Sequence, residues 1–484
     1  MSPTPSQLKS RKTIHCAAVD LGATSGRVIV GTWAGGHLTL TEVHRFPNAF
    51  QSLGAHDYWN LPGLWVEVRA GLRQAAARFP RIASVGVDTW GVDHVLVDDA
   101  GRLVFPAHAY RDARTQPGLQ HLGNTRAALD RIYAATGIPN VFYNSSLQLA
   151  ETVASCPAVT DLATRCLLLP DYFNFLLSGR MENELTIAST TQLLDVHSTD
   201  WSRAALDYFR VPPRWFTTPV LPGKRLGRVT SIPELKDAAV VVVAGHDTAS
   251  AYDAMPADPG GADLFVSCGT WSLVGFESDR PVLGADALAA RVANERTASG
   301  GYRPLTNVIG FWLLEGVMKA FPNRPTSEAE RNRLTAAAAR LPMPARLLDV
   351  ADPAFANPPS MRAAIDAQLR AAGARLPRDL PGYVRLICAS LARGHAGAKT
   401  RFEKMTGRRF DRILVVGGGS RNPLLCQCTA NAAGIPVVSF NLEGTAVGNL
   451  ARQLIALDAV RDLATFRAVL ARDLKGTVYP PRAG

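Results

Sequence analysis

The stretch DLGATSGR, Asp20 to Arg27, lies between two apolar runs, His15 to Asp20 and Arg27 to Trp33. Apolar runs of this length, separated by a segment rich in glycine and hydroxyl groups, predict two strands joined by a tight turn. A third strand, His37 to Val43, follows after a Gly-Gly pair. The chain is therefore expected to open with three strands joined by short turns.

The same stretch carries groups that can bind phosphate. Backbone N–H groups of a glycine-containing turn can point at phosphate oxygens. Thr24 and Ser25 would add hydroxyl donors and Arg27 a planar charged donor, while Asp20 could hold Mg²⁺ through its water shell. An ordinary glycine-rich hairpin is the alternative, because turns need these residue types anyway.

The elements that follow extend the three strands into an α/β domain. The run Ile82 to Asp88 is rich in β-branched residues and suits a buried central strand. Before it, apolar residues recur at helical spacing: Trp65, Val68, Leu72, Ala75, Ala76 and Phe79. Three strands, a helix and a further strand are the opening of an actin-like (ribonuclease-H-like) domain. The stretch from Leu119 to Gly179 is predicted to be rich in helix.

The strand–turn–strand pattern returns near residue 260. Asp263 to Cys268 and Trp271 to Glu277 predict two strands joined by a short turn, and the Pro- and Gly-rich linker Met255 to Gly261 precedes them. We interpret this as duplication of a phosphate-handling unit. The predicted fold is α/β, with two actin-like domains, residues 1–255 and 256–484, and a cleft between them.

A glycine run lies later in the chain. VVGGGSRNP, Val415 to Pro423, follows a strand-like run and precedes a helix that Ser420 or Asn422 could begin. Bare backbone of this kind permits close approach of a ligand. The run is not G-x-G-x-x-G, and the sequence contains no Walker A motif, so dinucleotide-binding and P-loop folds are disfavoured. Phosphate would then bind at hairpin turns and helix N-termini.

Asp247 is the candidate for proton transfer. It follows the apolar run Ala239 to Val243, which should bring it to the carboxyl end of a strand. A carboxylate at that place can orient an attacking hydroxyl and accept its proton. Capping of the helix that follows is the alternative role. We interpret the neighbouring His246 as a hydrogen-bonding residue and not as a second base.

The segment VDTWGVD, residues 87–93, joins two strand-like segments through Gly91. Such a turn could lay backbone and the indole of Trp90 against a sugar, whose C–H face stacks on aromatic rings. A tight connection between strands with a core tryptophan is the alternative, and residue spacing does not separate the two.

Composition limits the classes of function. The chain has 484 residues and a net charge of +11. The length suits two domains, and the charge suits an anionic ligand such as ATP. Basic runs interleaved with aromatic residues are missing, so we expect no nucleic-acid partner. We find neither a signal-peptide pattern nor an apolar run long enough to span a bilayer, and we expect no membrane association and a cytoplasmic location. Seven scattered cysteines predict reduced thiols.

Together these segments resemble those of the FGGY carbohydrate kinases, and the resemblance extends from Val19 to Asn449. It is carried by DLGATSGR at 20–27, VDTWGVD at 87–93, YRDART at 110–115, LPDYFNFLLSG at 169–179, ASTTQLLD at 188–195, GHDTA at 245–249, SCGTWSLVG at 267–275 and VVGGGSRNPLLCQ at 415–427.

The resemblance implies two ribonuclease-H-like domains that close over ATP, Mg²⁺ and a ketose, with Asp247 as catalytic base and the 1-hydroxyl of L-rhamnulose as acceptor. By the same resemblance the ketose would contact Gly91, His246, Thr248 and Asn307. ATP would contact Ala23, Thr24, Ser25, Gly26, Arg27, Thr270, Glu315, Gly418 and Gly419. Two departures stand out: Glu315 where the pattern leads us to expect glutamine, and Asn294 to Gly301 in place of an NEGG-type segment.

Several alternatives stay open from the sequence. L-fuculose, xylulose or glycerol could replace L-rhamnulose as the acceptor. The same pair of domains could also form a non-catalytic sugar or nucleotide sensor, because fold does not fix function, or an actin-like assembly protein. The expected partners are small molecules, and the chain is expected to be a monomer or a homodimer.

Overall fold

The structure is a computed structural model, and it describes residues 13–258, 261–441 and 443–482. The N-terminal residues 1–12, on which the signal-peptide prediction depends, and residues 259–260 of the predicted linker lie outside the described part. Within that part, none of the helices combines the length and the apolar character that crossing a bilayer requires.

The strands, in chain order, are β1 (Ile14–Leu21), β2 (Ser25–Ala34), β3 (His37–Pro47), β4 (Phe50–Leu53), β5 (His56–Trp59), β6 (Ile82–Thr89), β7 (His94–Val97), β8 (Arg165–Leu168), β9 (Arg225–Arg228), β10 (Ala239–Val241), β11 (Asp263–Cys268), β12 (Trp271–Gly275), β13 (Ala293–Arg296), β14 (Tyr302–Ile309), β15 (Arg412–Val416), β16 (Val437–Ser439) and β17 (Thr477–Tyr479).

The α-helices are α1 (Leu61–Arg78), α2 (Gln116–Asn124), α3 (Arg126–Thr136), α4 (Ser145–Ser155), α5 (Val159–Leu162), α6 (Leu169–Ser178), α7 (Leu185–Ala188), α8 (Arg203–Phe209), α9 (Asp247–Asp253), α10 (Ala285–Ala289), α11 (Trp312–Met318), α12 (Glu328–Ala339), α13 (Met361–Ala371), α14 (Leu380–Thr406), α15 (Pro423–Ala433), α16 (Gly444–Ala456) and α17 (Leu463–Asp473).

Two large mixed sheets organise the chain, which confirms the predicted α/β class. The first sheet has the order β3-β2-β1-β6-β10-β9, and the second has the order β13-β14-β12-β11-β15-β16-β17. In each sheet a central strand pairs antiparallel with the next strand of the chain and parallel with a later one, as β1 does with β2 and β6, and β11 with β12 and β15. The two halves therefore share one plan.

One part of the opening stretch was predicted wrongly. Ser25 and Gly26 lie on β2 and not in the turn, because β2 begins at Ser25 and Gly26 pairs with Leu21, whereas Arg27 lies on the strand as predicted. A Cβ at position 26 would lie 2.3 Å from the ring of Phe46. Glycine fits at this position because a side chain would collide with Phe46 of β3. The hairpin β4–β5 was not predicted from the sequence.

Helix ends follow the local sequence. Gly407 ends α14 in the left-handed conformation at φ 70°, and its N–H donates to the carbonyl of Glu403, as the sequence predicts for a C-terminal glycine. Asn422 begins α15, where its side chain accepts a hydrogen bond from the N–H of Leu425 at 3.0 Å. The start of α15 at Asn422 is as predicted, and the glycine at 407 accounts for the end of α14.

Helices are exchanged between the two halves. Tyr252 of α9 and Met255 after it pack against the second sheet, with Phe265, Leu414, Val416, Val438 and Phe440. In return, α16 and α17 cover one face of the first sheet, where Cys16, Ala18, Ile29 and Trp33 form a cluster with apolar residues between Ala446 and Leu470. Each sheet is therefore completed by helices from the other half of the chain.

The cysteines are all free, as predicted, and six of the seven are buried. Burial raises the pKa of Cys16 to about 11 and that of Cys426 to about 12. These thiols therefore behave as small apolar side chains and not as nucleophiles.

Candidate active site

Three carboxylates meet where the central parallel strands of the first sheet end. Asp20 on β1 is the direct neighbour of Asp88 on β6, and the next residue of β6, Thr89, forms a parallel bridge to His246. Asp247 follows His246 and begins α9. The sequence placed Asp20 and Asp247 at strand ends correctly, and the structure adds Asp88 between them.

The carboxylate of Asp247 is held on one side only. Its Oδ1 accepts hydrogen bonds from the N–H of Thr248 at 2.5 Å and from the hydroxyl of Thr248 at 3.0 Å. The N-cap position of α9 belongs to His246. Within the described part of the chain, Oδ2 has no recorded hydrogen bond, and the side chain is 31% exposed. Capping of α9 therefore does not explain Asp247, and Oδ2 is available to a ligand.

His246 stands between Asp247 and two charged residues of the second sheet. Its Nε2 lies 3.3 Å from Oδ1 of Asp247, and its Nδ1 lies 2.6 Å from Nη2 of Arg303 and 3.1 Å from Oε2 of Glu295. Arg303 and Glu295 form an ion pair, and the Arg303 side chain is 0% exposed. Burial alone would raise the pKa of Glu295, but Arg303 and His246 lower it to about 2.

Trp90 lies in the core of the first half and is 5% exposed. Its ring packs against that of Trp59 at a centroid distance of 4.3 Å. The two indole N–H groups donate to Oδ2 of Asp93, at 2.8 Å from Trp90 and 2.6 Å from Trp59. Burial raises the pKa of Asp93 to about 6, although these indoles and Gln148 lower it. This packing favours the core role for Trp90 that the sequence left open.

Gly91 lies beside the imidazole of His246. A Cβ at position 91 would be 3.2 Å from Nε2 of His246. The next residue, Val92, has φ 69°, a conformation that a β-branched residue rarely adopts. Its N–H donates to Oγ1 of Thr190 at 3.1 Å, and its carbonyl accepts from the hydroxyl of Ser145 at 2.5 Å. The strained turn is thereby fixed next to His246.

Ion pairs and hydrogen bonds fix the acidic groups, and some of their partners come from the second half of the chain. Nη2 of Arg27 lies 2.7 Å from Oδ2 of Asp20, and its Nη1 lies 2.6 Å from Oε2 of Glu443. Asn449 of α16 donates to Oδ2 of Asp88 at 2.6 Å. Arg27 of β2 therefore connects Asp20 of β1 with Glu443, the residue just before α16.

A divalent cation fits this acidic edge. Burial raises the pKa of Asp20, and the charge of Asp247 adds to this effect while Arg27 opposes it. Oδ1 of Asp88 is buried, and no described residue gives it a hydrogen bond. Carboxylate oxygens suit Mg²⁺, which usually keeps several waters and binds through few protein ligands together with phosphates. No group of three or more potential ligands with metal-binding geometry occurs in the described residues.

In the second half, the turn between β11 and β12, the glycine run and the start of α11 meet. The carbonyl of Thr270 accepts from the N–H of Gly310 at 3.1 Å. A Cβ on Gly417 would lie 2.8 Å from the carbonyl oxygen of Cys268, and one on Gly418 would lie 3.8 Å from the ring of Phe311. Thr270 and Gly418 are exposed. Glu315 lies one turn further along α11 and is also exposed.

Asn307 lies on β14, four residues after Arg303, and is exposed. Its side-chain amide donates to the hydroxyl of Tyr143 at 3.3 Å. Tyr143 also contacts Tyr110 edge to face, at a centroid distance of 6.1 Å. The contact joins the second sheet to the helical region of the first half.

Sequence reasoning missed Glu295 and Arg303 as site residues. Glu295 lies in the segment Asn294 to Gly301, which departs from the expected NEGG-type segment. The available signal was that departure, together with two opposite charges eight residues apart on the neighbouring strands β13 and β14. Asp93 and Tyr143 were missed as well, because their partners come from distant parts of the chain.

The fold and the site together define a two-domain sugar kinase. Residues 15–252 match the N-terminal domain and residues 264–457 the C-terminal domain of the FGGY family of carbohydrate kinases. The chain belongs to the FGGY family of carbohydrate kinases and is an ATP-dependent carbohydrate kinase.

Two relatives agree with this assignment. The chain is 39% identical over 470 residues to the rhamnulokinase of Klebsiella pneumoniae (strain 342), covering 96% of this chain and 94% of that protein. It is 37% identical over 471 residues to the rhamnulokinase of Enterobacter sp. (strain 638), covering 97% and 95%.

Two solved structures share the fold. Gluconate kinase from Lactobacillus acidophilus superposes with a TM-score of 0.80 at 16% identity, covering 97% of this chain and 94% of that chain. Plasmodium falciparum glycerol kinase with ADP superposes with a TM-score of 0.78 at 13% identity, covering 97% and 94%.

Proposed function

We propose that the enzyme transfers the γ-phosphate of ATP to the 1-hydroxyl of L-rhamnulose, with Asp247 as the general base. The observation that carries the catalytic part is the one-sided anchoring of Asp247. Oδ1 is fixed by Thr248, and the side chain, at the start of α9, is 31% exposed. A carboxylate held in this way can orient a hydroxyl and accept its proton as the phosphoryl group is transferred.

The sugar would bind beside Asp247 on the first half of the chain. His246 and Thr248 contact the carboxylate, Gly91 lies beside His246, and Asn307 would reach the sugar from the second sheet. Trp90 would act indirectly, because its indole N–H is used by Asp93. Hydroxyl groups of a ketose need donors and acceptors of this kind, fixed in advance by the protein.

The nucleotide would bind across the exposed turn of the second half. Thr270, Glu315, Gly418 and Gly419 would contact ATP there, and Ala23 to Arg27 would approach the γ-phosphate from the first half. Arg27, held between Asp20 and Glu443, supplies a cation close to the transferred group. Placing fixed positive groups and backbone N–H groups around the phosphates stabilises charge that develops during transfer.

Asp20 would hold Mg²⁺ through water. The ion, when bound, neutralises phosphate charge. Asp20 and Asp88 supply the carboxylates of this acidic edge. The carboxylate of Asp20 accepts a hydrogen bond from Arg27, and Asp88 lies beside Asp20 at the end of β6. The proposal predicts no cage of protein ligands, because the ion would be carried largely by the nucleotide.

L-Rhamnulose is proposed because relatives named rhamnulokinase are up to 40% identical over 472 residues. The choice is tested with a coupled ADP-release assay using ATP–Mg²⁺ and a panel of L-rhamnulose, L-fuculose, D- and L-xylulose, D- and L-ribulose and glycerol. We expect the highest kcat/KM for L-rhamnulose. A higher value for another sugar would replace the proposed substrate.

Substitution of Gly418 by alanine tests the nucleotide part of the proposal. A Cβ at this position has no protein atom nearer than 3.7 Å, so folding should be undisturbed. If ATP packs against this backbone, the added methyl group should raise the KM for ATP about 10-fold, since a misfit of this size costs 1–3 kcal/mol. Steady-state kinetics in ATP measure this effect.

The melting temperature and the KM for the sugar serve as controls and should stay unchanged in Gly418→Ala. An unchanged KM for ATP would show that the nucleotide does not contact Gly418.

A further inference from the structure

We propose that Arg303 and Glu295 of the second sheet are positioning residues that fix the tautomer of His246, so that its Nε2–H donates to Oδ1 of Asp247 and Oδ2 is left to accept the proton of the sugar. The inference deepens the proposed function and rests on Asp247 being the base. It adds a contact from the second half of the chain to the reacting group.

The tautomer follows from hydrogen-bond chemistry. Nη2 of Arg303 lies 2.6 Å from Nδ1 of His246. A guanidinium has only donors, so Nδ1 must be the acceptor and the ring proton must be on Nε2. The second hydrogen of the same Nη2 donates to Oε2 of Glu295. Glu295 thereby holds the guanidinium in place and balances its buried charge.

This tautomer determines the hydrogen bond between His246 and Asp247. Nε2 lies 3.3 Å from Oδ1 of Asp247, so Nε2–H can donate to the same oxygen that accepts hydrogen bonds from Thr248. Three donors then converge on Oδ1. The two carboxylate oxygens become inequivalent, and the proton-accepting lone pair is confined to Oδ2.

Without the guanidinium, the arrangement would reverse. Glu295 Oε2 lies 3.1 Å from Nδ1 and accepts only, so it would draw the ring proton to Nδ1. The lone pair of Nε2 would then face the carboxylate of Asp247, and the hydrogen bond that fixes the base would be lost. Arg303 therefore decides which ring nitrogen carries the proton.

The direct test is the tautomer of His246 in the full-length protein, read by long-range ¹H–¹⁵N NMR with the resonance assigned by its loss in His246→Gln. We expect an Nε2–H tautomer in the wild type and an Nδ1–H tautomer in Arg303→Met. We also expect kcat/KM for the sugar to fall about 10–100-fold in Arg303→Met, with the KM for ATP unchanged, since one hydrogen bond in a charged network is lost.

The double variant Glu295→Met/Arg303→Met separates positioning from charge burial. If Arg303→Met were impaired only because Glu295 is left buried and unpaired, removing both charges would restore activity, as it often restores stability. We expect activity to stay low, because nothing then donates to Nδ1. The matched control is Arg467→Met/Glu277→Met, which removes another partly buried ion pair of the second half that does not touch His246 and should leave kcat/KM unchanged.

Failure of this inference is distinct from failure of the proposed function. An Nδ1–H tautomer in the wild type, or full activity in Arg303→Met or in the double variant, would overturn the positioning role while Asp247 stays the base. If the wild type phosphorylates no sugar of the panel, the proposed substrate fails, and the NMR measurement still decides whether Arg303 sets the tautomer.

Discussion

Asp247→Asn should lower kcat about 10²–10⁴-fold, the usual contribution of a general base. Asparagine keeps an oxygen that Thr248 can bond at the Oδ1 position, so the local structure should persist. It places an amide N–H where the proposed base must accept a proton. Single-turnover and steady-state kinetics with ATP–Mg²⁺ and the preferred sugar measure the loss.

The comparison that makes this result specific is nucleotide binding. Because Asp247 lies on the first half and the proposed nucleotide site on the second, the Kd for ADP–Mg²⁺, measured by calorimetry, should be within about 3-fold of the wild-type value, a difference below 1 kcal/mol. Turnover that stays near the wild-type rate would remove Asp247 from the mechanism.

Gly448→Ala should disrupt both stability and activity, because Gly448 is where α16 crosses α9. A Cβ at this position would lie 1.7 Å from the carbonyl oxygen of Ser250. Backbone cannot rotate away as a side chain can, so the helices must separate. We expect a loss of about 3 kcal/mol, the upper part of the usual range for overpacking. Chemical denaturation measures it, and kcat should fall because Ser250 lies three residues after Asp247.

Gly444→Ala is the matched control on the same helix. Its Cβ would lie 3.5 Å from Cβ of Ala251, an ordinary contact, and alanine favours the helix over glycine. The variant should be at least as stable as the wild type. If both alanine variants behave alike, close contact at the crossing is not what requires glycine at 448.

The strand ends were predictable because they depend on short-range pattern. An apolar run followed by a carboxylate identifies Asp20, and the same pattern followed by a helix identifies Asp247. The start of α15 at Asn422 and the end of α14 at Gly407 were predictable for the same reason. Each depends on residues within one turn of the backbone.

The contacts across the cleft were not predictable, because they depend on which elements meet in space. Nothing near Arg303 in the sequence shows that its guanidinium reaches His246, 57 residues earlier. The direction of the Trp90 indole was equally hidden. It depends on Asp93 and Trp59, and residue spacing allowed either a core or a sugar-facing ring.

The exchanged helices were also beyond the sequence pattern. The apolar face of α16 shows that the helix is buried, but it does not show which sheet covers it. Its partners on the first sheet, Ala18 and Ile29, lie more than four hundred residues earlier. The predicted division at residues 255 and 256 stays a prediction, and it assigns these helices to the half whose sheet they do not complete.

This exchange sets the order in which the protein can be finished during synthesis. The first sheet is made early, yet the apolar face that includes Cys16, Ala18, Ile29 and Trp33 waits for α16 and α17, which end at Asp473 of a 484-residue chain. Domains commonly fold as soon as they leave the ribosome. Here the first sheet must stay partly uncovered until α16 and α17 have been added, more than four hundred residues after β1, and its apolar face is open to aggregation for that interval.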